Sequence, residues 1–189
     1  MRRGNIYPKR ITATPHCHSR EKKRNWRFNL PKLDFWYEFA STYSYLSAMR
    51  IEDVAREAGV DVRWRPFLLG PIFRAQGLHD SPFNIYEAKG LNMWRDMERH
   101  CNAMGLKSRI PEIFPQNVLL AARIATAGIG ETWPIPFSKS VTIAEFAYSQ
   151  DISDPGHLSR MRHESGAHPV QVLQRAHGGA AFEYQVALR

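Results

Sequence analysis

Two serines, Ser41 and Ser44, stand three residues apart where an aromatic-rich apolar run gives way to a helical pattern, in the stretch LDFWYEFASTYSYLSAMR. A serine at the first position of a helix caps orphan backbone N–H groups by default. The same position is also an anion site, because free amides and the positive end of the helix dipole favour a thiolate, phosphate or carboxylate. Two cysteines at this spacing would make a redox pair with a depressed thiol pKa. With serines the chain supplies no sulfur here, but a hydroxyl can donate to a thiolate brought by another molecule. Lowering a thiol pKa by one unit takes about 1.4 kcal/mol, which one charge-assisted hydrogen bond of about 1.5–3 kcal/mol can supply. Serine-hydrolase chemistry is disfavoured: no G-x-S-x-G surrounds Ser41, and His79 and His100 could approach it only through the fold.

The elements that must position these serines are legible from periodicity. Residues 33–39 read as a strand, and Ser41 opens a helix that stops at Gly59, a suitable left-handed C′ residue. Residues 60–67 alternate and read as a second strand, so the unit is a right-handed βαβ with parallel strands. Residues 69–84, with Gly70, Pro71, Gly77 and Pro82, read as a long functional loop. Helices are then expected over 87–104, 116–127, 136–149, 157–165 and 170–177. Strand-like runs are absent after Ser149, so the pattern starts a parallel sheet with only two strands, where such sheets are normally wider and covered on both faces.

Composition narrows the function classes. The 189 residues carry 43% hydrophobic and 23% charged residues, ordinary for a globular chain, and no apolar run is long enough to span a bilayer. The net charge of +8 is concentrated in residues 1–32, which hold ten Lys/Arg against one acidic residue; the remainder is close to neutral. This segment reads as a solvated, disordered extension rather than a nucleic-acid or anionic-surface module. It lacks the amphipathic stripe of a transit peptide, and the adjacent His16, Cys17 and His18 give poor metal geometry, so no metal site is expected. The two cysteines, Cys17 and Cys101, lie far apart without a C-x-x-C, which points to a reducing compartment, the cytoplasm. Cys101, beside Met97 and Met104 on a helical pattern, reads as a core thiol, and Met93, Trp94 and Met97 as core of the helical region.

The segments DFWYEFASTYSYLSA, RPFLLGPIF, SPFNIYEAKGLNMWRDMERHC, FPQNVLLAARIA and SQDISDPG together resemble the 2-hydroxychromene-2-carboxylate isomerase family, a DsbA-like branch of the thioredoxin fold related to the kappa-class glutathione transferases. The resemblance covers residues 33–174 and implies an α/β, thioredoxin-like (DsbA-type) βαβ unit with an all-helical insertion. The domain reading is a basic extension over 1–32, a βαβ half over 33–69, and a loop plus helical region over 70–189. It implies that glutathione is the cofactor, that Ser41 activates its thiol as the catalytic residue, and that Ser44, Asn84 and Lys89 contribute to the glutathione or substrate site. Trp64 and Arg65 lie near that site without an assigned role. The implied reaction is cis/trans isomerisation of an unsaturated 2-oxo acid by reversible thiolate addition. The alternatives are a kappa-like glutathione transferase (conjugation or peroxide reduction) or disulfide oxidoreductase-family protein, or an inactive truncated paralogue. Relatives usually place proline after the serine, where this chain has Thr42. Relatives also continue into further strands, a cis proline and a closing helix. The expectation is therefore a truncated or frame-disrupted member whose C-terminal strands are missing, with homodimerisation as one way to complete it.

Overall fold

The computed structural model describes residues 30–167. The basic extension up to residue 29, with His16–His18, and the expected helix over 170–177 lie outside the described residues. Strand β1 (Lys32–Tyr37), helix α1 (Thr42–Ala58) and strand β2 (Asp61–Pro66) form the βαβ unit, with the strands parallel. Leu33 pairs with Val62, Phe35 with Trp64 and Tyr37 with Pro66, which sets these side chains on one face. That face packs as an aromatic cluster: Trp64 meets Phe35 edge-on at 5.0 Å between centroids and Tyr37 at 5.2 Å, and Tyr37 meets Phe39 at 5.4 Å. On the opposite face Asp34 accepts from Arg63 at 2.6 Å and from Arg65 at 2.9 Å, and the Arg65 hydrogen bond leads in holding the Asp34 carboxyl below its ordinary range.

Helix α1 ends as its sequence dictates. Gly59 has φ 65°, and Val60 N–H bonds back to the Ala55 carbonyl at 2.8 Å. Helices α2 (Leu69–Ala75) and α3 (Pro82–Ile85) follow, then α4 (Glu87–Met104), α5 (Leu119–Ala127), α6 (Pro134–Tyr148) and α7 (Pro155–Glu164). The expected loop over 69–84 therefore contains two short helices. Pro71 is accommodated in the first turn of α2, and Ser81 caps α3 with Pro82 at N1. Prolines also account for the shifted starts of α6 and α7, where Pro134 and Pro155 open each helix instead of stopping the chain before it; Asp154 caps α7 by accepting from Gly156 N–H and His157 N–H. Helix α5 begins at Leu119 instead of residue 116 because Gln116 bridges loops, donating to the Gln150 carbonyl and accepting from Ile152 N–H.

Two hydrophobic clusters hold the molecule together. The larger joins the aromatic face of the sheet to α5, α6 and α7 through Ile124, Phe137, Val141 and Leu158. The smaller ties α1 to α4 and α6 through Tyr45, Leu46, Met97, Cys101 and Phe146. Burial raises the Cys101 thiol pKa, in keeping with a core thiol. Lys139 on α6 also pairs with Glu52 on α1. Among the described residues the sheet has two strands, and no helix is long and apolar enough to cross a membrane.

Candidate functional site

The chain leaves β1 through Glu38, Phe39 and Ala40, all buried, and turns into α1 at Ser41. Ser41 is extended (φ −90°, ψ 119°), its N–H donates to the Glu38 carbonyl at 3.2 Å, and its Oγ accepts from Ser44 N–H at 3.4 Å. Ser44 Oγ in turn accepts from Glu38 N–H at 3.2 Å. The two serines thus fasten both sides of one turn, and each is half-buried with an accepting oxygen engaged. Neither hydroxyl donates to a described residue, so both O–H groups remain available to an incoming acceptor. The first turn of α1 thus presents donors and carries no acidic side chain of its own.

Helix α4 forms the neighbouring wall. Thr42 Oγ1 donates to Met93 Sδ at 3.3 Å, and the Tyr43 hydroxyl donates to Asp96 Oδ2 at 2.9 Å. Thr42 is therefore a side-chain link between α1 and α4. Lys89 lies one helical turn before Met93 and so on the same stripe of α4. It is exposed, its ammonium 5.7 Å from the centroid of the Tyr86 ring, and no hydrogen bond or ion pair joins it to Ser41. Asn84 is committed elsewhere: its Nδ2 donates to Asp80 Oδ2 at 3.1 Å and to the Phe114 carbonyl at 2.8 Å. With both amide hydrogens used, Asn84 could meet a ligand only through its carbonyl oxygen. The structure thus brings Ser41 and Ser44 together and aligns Lys89 on the facing helix, while Asn84 ties α3 to the segment before α5. Trp64 lies in the core, its indole N–H without a partner among the described residues, and Arg65 is bonded to Asp34.

Sequence reasoning missed the ionisable groups beneath the turn. Glu38 is 6% exposed, and loss of water pushes its carboxyl pKa up to about 8, opposed by a hydrogen bond from the Ala40 backbone. Glu145, on α6, is fully buried, with neither carboxyl oxygen bonded to a described residue. Its pKa is pushed up to about 9, by burial first and by the Glu38 charge second. Arg162, on α7, is buried as well, with its Nε and Nη1 lacking partners among the described residues. The only signal in the sequence was placement: Glu38 interrupts an aromatic strand, and Glu145 sits between Ala144 and Phe146 on an apolar helix.

Residues 32–186 match the DSBA-like thioredoxin domain, more than three-quarters of the chain. The chain belongs to the DSBA-like thioredoxin family. The match reaches past the described residues and past residue 174, where the sequence resemblance ends. No curated protein matches the chain in sequence. Among solved structures, a 2-hydroxychromene-2-carboxylate isomerase superposes on this DsbA-like domain with a TM-score of 0.69 at 17% identity, covering 82% of this chain and 76% of that one. A DsbA oxidoreductase candidate from Streptomyces coelicolor gives 0.64 at 16% identity, over 83% and 72%. A protein disulfide isomerase candidate from Nitrosomonas europaea gives 0.61 at 12% identity, over 84% and 76%. These similarities show the fold: a thioredoxin-like α/β unit with a helical insertion.

Proposed function

We propose that this DsbA-like domain is a glutathione-dependent isomerase of the 2-hydroxychromene-2-carboxylate isomerase type, with Ser41 as the thiol-activating residue. The observation that carries the reading is the N-terminus of α1, where Ser41 and Ser44 accept backbone N–H bonds and keep their own O–H groups free to donate. Neither position carries a cysteine, so thiol–disulfide exchange through this pair, the chemistry of the oxidoreductase neighbours, does not fit the site.

The residues suit a thiolate. Ser41 Oγ–H would donate to the sulfur, and the α1 dipole would add to that stabilisation without any titratable partner. Ser44 would hold the turn in shape through its bond to Glu38 N–H. Lys89, one helical turn before Met93 on α4, would meet a carboxylate of glutathione or of the substrate. Bound there, glutathione would supply a nucleophile whose reversible addition to an unsaturated 2-oxo acid allows rotation about the former double bond. Glutathione transfer would use the same thiolate site; it differs in consuming glutathione, whereas isomerisation returns it.

The test is a thermal unfolding curve of the full chain with and without millimolar glutathione, followed by an isomerisation assay. Ligand at a hundred times Kd raises stability by about 2.7 kcal/mol. An upward shift that disappears in Ser41→Ala, with geometrical isomerisation lost in the same variant, supports the reading. An unshifted curve, or isomerisation indifferent to Ser41, sinks it.

A further inference from the structure

A second recess lies on the other side of α4. Leu91, Trp94, Arg95 and Glu98 follow the i, i+3, i+4, i+7 spacing of one helix face, turned well away from Met93 and Asp96, which meet α1. Facing them is the segment Ser108–Ile110, and between the two runs a groove of about 360 Å³ floored by Met97 and Phe146. Both walls are anchored. Arg109 N–H donates to the Phe146 carbonyl at 2.6 Å, the Tyr45 hydroxyl donates to the adjoining Lys107 carbonyl at 3.0 Å, and Trp94 packs edge-on against Phe114 at 5.0 Å. The volume falls within the range of small-molecule sites.

The lining states what would fill it. Half-buried Trp94 and the exposed Leu91 and Ile110 offer aromatic and aliphatic surface suited to a flat ring, over a floor of buried Met97 and Phe146. Arg95 and Arg109 line the same groove, and neither forms an ion pair with a described residue, so two planar donors stand beside an apolar slot. Glu98 is the lone acid among the described lining residues, which disfavours a dianion and leaves that lining with one net positive charge. We infer that this groove binds an aromatic monocarboxylate, ring against Trp94 and between Leu91 and Ile110, with its carboxylate held by Arg95 and Arg109. The site is separate from the Ser41 turn and does not depend on the activity proposed there.

The experiment is equilibrium dialysis of the full chain against 2-naphthoate, with its neutral methyl ester as comparator. The acid is expected to bind about tenfold or more tightly than the ester, the worth of one charge-assisted hydrogen bond. Arg95→Gln and Arg109→Gln, both at exposed positions that leave the core intact, should each weaken acid binding about tenfold, while Glu98→Gln should tighten it. Saturating glutathione and Ser41→Ala should leave naphthoate binding unchanged. Equal binding of acid and ester, or full affinity in both arginine variants, overturns the assignment. So do displacement by glutathione, which places the probe at α1, and absence of binding at millimolar concentration.

Discussion

Glu145 offers a measurable consequence of the buried acids. Its carboxyl pKa, about 9 in the folded chain against 4.5 in the unfolded one, means that the folded state holds a proton the unfolded state releases. A raised acid therefore lowers stability as pH climbs: the cost is absent below about pH 4.5, grows at about 1.4 kcal/mol per pH unit, and levels off near pH 9. At about pH 7.5 it amounts to about 4 kcal/mol for Glu145, with a similar cost for Glu38, whose pKa rises to about 8. Together these approach the whole unfolding free energy of an ordinary domain, about 5–15 kcal/mol. They are upper limits, since relaxation and water entry soften burial costs. Glu145→Gln keeps the shape and removes the proton. Urea unfolding at about pH 5.5, 6.5 and 7.5 should show the parent losing stability at each step, and Glu145→Gln losing it at about half the parent's slope. At about pH 5.5, about one unit above the unfolded-state value, the variant should already be the more stable, and its advantage should grow through about pH 7.5; only below about pH 4.5 should the two be equal. A parent curve flat across this range, or identical slopes in the two proteins, would show that Glu145 reaches water or a cation and that the burial argument is wrong.

Other perturbations follow from the same structure. The double variant Ser41→Cys, Ser44→Cys should place a reactive dithiol at the N-terminus of α1 and confer insulin reductase activity absent from the parent, with the thiol at the N-cap position titrating below about 8.5. A Cβ at Gly90 would run into the Phe83 carbonyl where α3 meets α4, so Gly90→Ala should lower the thermal midpoint by an amount equivalent to about 1–3 kcal/mol. Asp154→Ala removes the acceptor for two N–H groups at the start of α7 and should cost about 1 kcal/mol in urea unfolding; a variant as stable as the parent would mean water replaces the cap without loss.

The βαβ unit and the serine turn were legible because local rules decide them. Alternation fixes the strands, Gly59 fixes the helix end, and a short polar residue after a strand fixes the cap. Helix α4 was legible over its full length, Glu87–Met104, for the same reason: its apolar stripe repeats at helical period and Gly105 terminates it. The segment between β2 and α4 misled because its prolines read as breakers, whereas Pro71 and Pro82 sit in first turns where a missing N–H costs nothing. The Asn84 amide spans thirty positions to the Phe114 carbonyl, a partner no local pattern announces.

The buried acids mark a different limit, since their meaning depends on what surrounds them in space. A glutamate at the end of a strand and another on a helix each pass for surface residues until the fold brings them under the same turn. Once there, they alter how the turn can work. With carboxyl pKa values of about 8 and 9 they are mostly neutral near neutral pH, so they neither repel an anion at the N-terminus of α1 nor offer it a cation. On the proposed reading, stabilisation of a thiolate would then fall to Ser41 and the helix dipole. Above the Glu38 pKa the balance reverses: a carboxylate would form one residue before Phe39, behind the anion site, and weaken it. Glutathione-dependent stabilisation should therefore decline above about pH 8 in the parent and persist to higher pH in Glu38→Gln. An identical decline in both proteins would separate the buried acids from the site and leave them as a stability feature alone.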